Sequence, residues 1–268
     1  MRTPADAAFE RDERSISSRL EQEREHHDHF YETDAPRIAE SPLYNALDAR
    51  MVDLLIRRAS IPGARVLSLG SGDGRLEVRA APRVAEIVGY ELSPVAVQRA
   101  RGRAARTGHD NARFEVGDIG SLTLPAESFD VVWAIAVLHH LNDEEIVTLL
   151  ASAMRILRRG GLFASIDPSS RRLVAVFRNL VAGTYERHHS PEERELDMRT
   201  LREQFAEAGF EKVETHPSDF FASPLAWVVP TIPRLLVPAL IAVDTMLMRI
   251  PVVRERASSF MVVGRRPK

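Results

Sequence analysis

Three glycines at alternate positions, Gly70, Gly72 and Gly74, follow the apolar run Val66, Leu67 and Leu69. A strand running into such a loop and then into a helix turns sharply and admits a ligand against its backbone, because glycine has no Cβ in the way. Glu91 follows about twenty residues on, where a carboxylate ending the next strand accepts protons from both ribose hydroxyls. The plain alternative is a tight strand-to-helix turn and an unrelated surface acid. Arg75 stands where the dinucleotide pattern G-x-G-x-x-G has its third glycine. The loop therefore suits a nucleoside ligand without a pyrophosphate, and a nicotinamide-dependent oxidoreductase is the second reading.

Proton-transfer candidates are His139 and His140, His188 and His189 with Tyr185, and Asp167 beside Pro168. Each also has a structural reading: pocket lining for the first pair, a solvated loop for the second, a turn-forming acid for Asp167. His26, His27 and His29 fall near the end of an N-terminal charged segment. The chain has no cysteine, and H-H-x-H has no strong precedent as a metal site. A solvated helix end and no metal are expected there.

The elements that must position these residues follow from periodicity. Helices are expected over 15–31 and Pro42–Ala59, the latter ended by Pro62 and Gly63. Short apolar strands over 66–69, 85–90, 113–116, Phe129–Ile135 and 161–166 alternate with helices over Pro94–Thr107 and 142–157, with a turn at Gly160 and Gly161. A helix over 200–208 and strands over 211–216 and 259–263 complete the pattern. Alternation of this kind implies crossover units, so the expected fold class is α/β: a Rossmann-like, doubly wound, mainly parallel seven-stranded sheet. An N-terminal helical cap is expected over 1–60, and the sheet domain over 61–268.

The ordered set of motifs resembles the class I S-adenosylmethionine-dependent methyltransferases over roughly 64–167. It comprises Leu69-Gly70-Ser71-Gly72-Asp73-Gly74, Gly89-Tyr90-Glu91-Leu92-Ser93, Glu115-Val116-Gly117-Asp118-Ile119, and Phe129-Asp130-Val131-Val132-Trp133 through Val137-Leu138-His139-His140-Leu141, then Leu157-Arg158-Arg159-Gly160-Gly161. The resemblance implies S-adenosylmethionine as cofactor, with Glu91 and Leu92 at the ribose and Asp118 and Ile119 at the adenine. Ser68, Gly70, Ser71, Gly72, Gly74 and Ala134 complete the implied cofactor set. It further implies an N-terminal helix closing over the cofactor, which brings Tyr31 to the pocket. The family commonly has an acid at the position of Ser68, and a hydroxyl lacks the charge that attracts an ammonium. Asp73 is a substitute acid, and a non-catalytic cofactor-binding scaffold is a further alternative. Methyl transfer needs a base only where the acceptor loses a proton; His139, His140 and His188 are the candidates. Tyr31, Tyr185, His189 and Trp227 are the candidate substrate contacts.

The 268 residues carry a formal net charge of −2, with Lys212 and Lys268 the only lysines, which disfavours a nucleic-acid partner. The family's Asn/Asp-Pro-Pro-Tyr-like turn of amino-group methylation on bases is replaced by Ala134-Ile135-Ala136-Val137. A small-molecule acceptor methylated on oxygen or carbon is expected. No signal-peptide pattern opens the chain, and a cytoplasmic protein is expected. Extra apolar material lies at about 218–257. Its stretch 220–253 has three charges, Arg234, Asp244 and Arg249. A helix over 234–250 would put Arg234, Thr245 and Arg249 on one polar stripe. Three readings stay open: packed core or a lid over a lipophilic acceptor, a peripheral anchor at the inner face of a membrane, or a homodimer interface.

Overall fold

The computed structural model describes residues 4–35, 38, 40–59, 63–172, 193–229 and 231–268. Helices α1 (Pro4–Thr33) and α2 (Pro42–Ala59) precede the sheet. Strand β1 (Arg65–Leu69), helix α3 (Arg75–Ala80), β2 (Glu86–Glu91), α4 (Pro94–Thr107), β3 (Ala112–Val116), β4 (Phe129–Ile135), α5 (Asp143–Ile156) and β5 (Leu157–Pro168) then alternate. Helix α6 (Met198–Glu207), β6 (Glu211–Asp219), helices α7 (Ala222–Val228), α8 (Val237–Leu247) and α9 (Pro251–Arg254), and β7 (Ser259–Arg265) follow.

The seven strands form one sheet in the order β3-β2-β1-β4-β5-β7-β6. Strands β1 to β5 pair in parallel, and β7 enters antiparallel to both β5 and β6. The expected fold class is the observed one. Central strands covered on both faces read as continuous apolar runs. Val66 and Leu67 accordingly feed opposite cores, one under α2, α3 and α4, the other under α5 and α6. Local signals set the helix starts. Ser93 Oγ accepts from Ala96 N–H at 3.0 Å behind Pro94, and Asn142 forms a reciprocal capping box with Glu145.

Two local expectations are corrected. Gly160 and Gly161 lie inside β5, which begins at Leu157; Gly160 has φ +73° and the pairing with β4 shifts register there, so the glycines make a bulge rather than a turn. Residues 234–250 do not form one helix, because α8 covers Val237–Leu247 alone. Thr245 is turned inward, its hydroxyl accepting from Arg50 Nη1 at 3.1 Å, so there is no polar stripe.

The material between β6 and β7 packs on α2, where Leu43 and Leu47 meet Ala222, Ala226, Ile232 and Val237. Asp244 ties it down. This carboxylate has no solvent exposure, and its Oδ1 accepts from the N–H groups of Phe220, Phe221 and Ala222 at 3.0, 2.9 and 3.2 Å. The opposite side is uncovered: Leu235 is 89% and Val252 73% exposed. No described helix is long and apolar enough to cross a membrane.

Candidate active site

The sheet order reverses at β1, with β2 on one side and β4 on the other, and a crevice opens at the carboxyl ends of these strands. A cavity of about 460 Å³ occupies it, within the roughly 300–1,000 Å³ usual for small-molecule sites. Its floor is the glycine loop. Gly72 has φ +54°, and a Cβ there would run into the Tyr31 hydroxyl. Tyr31 belongs to α1, which therefore roofs the loop at contact distance. Burial, with Glu91 and Asp73 nearby, pushes the Tyr31 phenol well above its usual pKa.

Glu91 ends β2 and is held from both sides. Gly72 N–H donates to Oε2 and Ser93 N–H to Oε1, each at 2.9 Å. The carboxylate is fixed in orientation, and its remaining lone pairs face the cavity as acceptors for paired hydroxyls. Leu92, Asp118 and Ile119 line the same end, with Asp118 Oδ1 accepting from Gly120 N–H at 2.9 Å. Arg75, in place of a third glycine, donates to Asp48 at 2.6 Å and Asp73 at 3.0 Å and lies over the Tyr44 ring. Its bulk and charge occupy the ground that a dinucleotide loop leaves open.

Residues 66–161 match the family model described as a methyltransferase domain. The 27-O-demethylrifamycin SV methyltransferase of Amycolatopsis mediterranei is 37% identical over 45% of this chain and 43% of its own length. The ubiquinone biosynthesis O-methyltransferase of Hahella chejuensis is 30% identical over 54% of this chain and 63% of its own. The alignments thus span under two thirds of these relatives. A solved methyltransferase from Thermotoga maritima superposes with a TM-score of 0.63 at 17% identity, covering 91% of this chain and 99% of that one, which shows the shared fold. Residues 66–161 thus form a methyltransferase domain. These matches do not favour the nicotinamide reading.

The cavity fits S-adenosylmethionine at the nucleoside end, where the pinned Glu91 and the cradle that a Gly72 Cβ would fill meet. Gly70, Ser71, Gly72, Glu91, Leu92, Asp118 and Ile119 all line it. Three members of the expected set do not. Ser68 is buried beneath the loop with its hydroxyl on Glu77. Ala134 is enclosed in the sheet core, and Ile135, Ala136 and Val137 line the cavity beyond it. Gly74 supports packing: a Cβ there would meet Ala100 and Phe114 at 2.8 Å.

Deeper in, His139 Nδ1 lies 3.1 Å from Asp167 Oδ1, and both residues line the cavity. Asp167 is thus the buried partner of His139. Beside them, His140 Nδ1 is 2.7 Å from Glu23 Oε1, and His27 Nε2 is 3.1 Å from the same oxygen. Burial opposes charge on Glu23, but its contacts with His140 and His27 prevail and hold its pKa well below the carboxylate range. Burial likewise lowers His27, and its hydrogen bond to Glu23, aided by Glu91 and Glu193, reverses this and raises it. The expected solvated end of the histidine run is corrected: packing of α1 turns His26 and His27 into the cavity, and His29 stays exposed. Glu23, His27 and His140 bring ligand atoms within 4.8 Å of one another, as do His139, His140 and Glu193.

Trp227 of α7 lines the far wall, edge-on to Tyr44 at 5.7 Å and tilted against Phe30 at 6.1 Å. Tyr31 and Trp227 therefore share the cavity. Tyr185, His188 and His189 lie outside the described residues. Glu23, Glu77 and Glu193 were missed. Glu23 sits four residues before His27, so it shares that helix face. Glu77 is an acid between Leu76 and Val78 just after the loop, an available signal. Glu193 sits in the irregular segment and carries none.

Proposed function

We propose that the protein transfers the methyl group of S-adenosylmethionine to an oxygen or carbon atom of a small, lipophilic acceptor. The observation that carries this is the continuity of one cavity from Glu91 and the glycine loop, past His139 and Asp167, to the aromatic wall of Phe30, Tyr44 and Trp227. A polar nucleoside end and an apolar acceptor end meet at a proton-accepting pair. The relatives' names, one of them an enzyme of ubiquinone biosynthesis, support an acceptor of this kind.

The cofactor supplies an electrophilic methyl group on a sulfonium. Glu91 and Asp118 hold the nucleoside, and the glycine loop admits it without steric conflict. Tyr31 and α1 cover it and exclude water. With Nδ1–H donated to Asp167, His139 Nε2 keeps a lone pair and removes the proton of an acceptor hydroxyl or enol as it attacks. His140, bound to Glu23, holds α1 closed over the site rather than serving as the base. The aromatic wall fixes the ring or chain of the acceptor, so much of the rate comes from alignment of donor and acceptor.

The exposed apolar side chains of the 220–253 segment, Leu235 and Val252 among them, complete the proposal. They rest on a lipid surface at the cytoplasmic face, from which a lipophilic acceptor reaches the adjoining cavity. Two measurements test this reading. The full chain is incubated with labelled S-adenosylmethionine and a panel of hydroquinones with and without prenyl tails, with products identified by mass spectrometry. Methylation favouring the tailed members is expected; tight S-adenosylhomocysteine binding without any product points to a scaffold. Flotation with anionic phospholipid vesicles checks the surface: binding lost in Leu235→Glu supports it, whereas a concentration-dependent dimer abolished by that substitution assigns the patch to a second copy.

A further inference from the structure

Ser68 does not line the cavity, whereas a carboxylate one strand-to-helix turn away does. The Ser68 hydroxyl, 1% exposed, donates to Glu77 Oε1 at 2.7 Å. Glu77 is itself 2% exposed, on the inward face of α3, and lines the cavity. Its second oxygen, Oε2, is buried and has no hydrogen-bond partner among the described residues. Nearby cations are engaged elsewhere: Arg75 with Asp48 and Asp73, Arg103 with Asp73. A buried carboxylate with one bare oxygen and no ion-pair partner is costly unless a cation or proton reaches it.

The arrangement of the site says which cation. Glu91 and Asp118 fix the nucleoside end over β2 and β3. The rest of a ligand anchored there extends the other way, across the glycine loop towards β1 and β4, where Glu77 faces the cavity. On the methyltransferase reading above, on which this rests, that remainder is an amino acid bearing an α-ammonium. We propose that Glu77 is the ammonium-binding residue of the cofactor site, oriented by Ser68, so that the negative charge has moved from the strand to the helix. Hydrogen bonds to charged groups of this kind are the strong ones. Burial pushes the Glu77 carboxyl up to about 7, despite the hydrogen bond from Ser68, so below that pH the unliganded site holds a proton that an ammonium displaces.

The test uses two ligands with the same nucleoside. S-adenosylhomocysteine carries the amino-acid end; 5′-methylthioadenosine does not. Titration calorimetry of the full chain should show Glu77→Gln weakening S-adenosylhomocysteine by about 10- to 100-fold, with 5′-methylthioadenosine unchanged. The double variant Ser68→Asp, Glu77→Gln, which returns the charge to the strand, should recover most of the loss. Wild-type affinity for S-adenosylhomocysteine should rise with pH through about 7, a rise absent in Glu77→Gln. Equal loss of both ligands in Glu77→Gln, or loss of neither, overturns the assignment. A wild-type chain that binds neither ligand removes the methyltransferase reading itself, and the assignment with it.

Discussion

His139 and Asp167 are joined twice: Asp167 Oδ1 accepts from the His139 backbone N–H at 3.2 Å and lies 3.1 Å from its Nδ1. One oxygen thus fixes both the chain and the ring, so the imidazole presents Nε2 to the cavity. Such a carboxylate sets which nitrogen carries the proton. Asp167→Asn should leave S-adenosylhomocysteine affinity unchanged. It should lower kcat toward a hydroquinone acceptor by about 10²- to 10⁴-fold, the range of general-base catalysis. Steady-state kinetics beside calorimetry separate the two. An unchanged kcat would return His139 to a lining role.

Gly72 and Tyr31 carry a steric prediction. A side chain at Gly72 meets two obstacles, its left-handed backbone and the Tyr31 hydroxyl. The first costs about 1–2 kcal/mol, and the second forces α1 off the loop. Gly72→Ala should raise the Kd for S-adenosylhomocysteine at least about tenfold and expose α1 to limited proteolysis. Adding Tyr31→Phe, which removes the colliding hydroxyl, should restore part of the affinity. Proteolysis of α1 unchanged from wild type would show that the helix is held without this contact.

The sheet and the Glu91 end of the cavity were legible because their determinants are local. Strands such as Val131 to Ala134 are unbroken apolar runs, and Glu91 stands at the end of one. The His139 end of the cavity depends on contacts between distant segments. Nothing near Glu23 in the sequence indicates that it meets His140, and Asp167 looks like a turn former until β5 brings it under His139. Ser68 shows the converse failure. It stands at the motif's position, but its side chain lies beneath the loop on Glu77, and it is Glu77 that lines the cavity. The helical wheel over 234–250 failed because Pro238 and the turn after Leu247 confine the helix.

Asp244 carries a stability prediction. It is fully buried and serves three N–H groups where β6 passes into α7, while Arg50 Nη1 lies 3.9 Å from its other oxygen. Asp244→Ala leaves those donors without an acceptor and should destabilise the fold by about 2–4 kcal/mol. Denaturant titration measures this. Asp244→Asn, which keeps an acceptor oxygen, should lose clearly less. Equal losses would mean that the charge, through Arg50, matters more than the hydrogen bonds.

Glu77 makes unliganded stability depend on pH with a definite sign. Its folded pKa, pushed to about 7 by burial, lies above the ordinary 4.5. The stabilisation linked to this group is therefore complete below about 4.5 and lost as pH rises through about 7. A gap of that size corresponds to about 3 kcal/mol at most. At pH 8 the unliganded wild type holds a buried charge that Glu77→Gln lacks, so the variant should melt higher; at pH 5 the two should converge. Saturating S-adenosylhomocysteine should narrow the gap at pH 8 by about 1.4–2.7 kcal/mol, which an affinity difference of about 10- to 100-fold carries, because its ammonium compensates the wild-type carboxylate and finds no charge in the variant. Thermal melts at both pH values, with and without ligand, give four comparisons. A gap at pH 8 that saturating ligand leaves unchanged would mean that the ammonium does not reach Glu77.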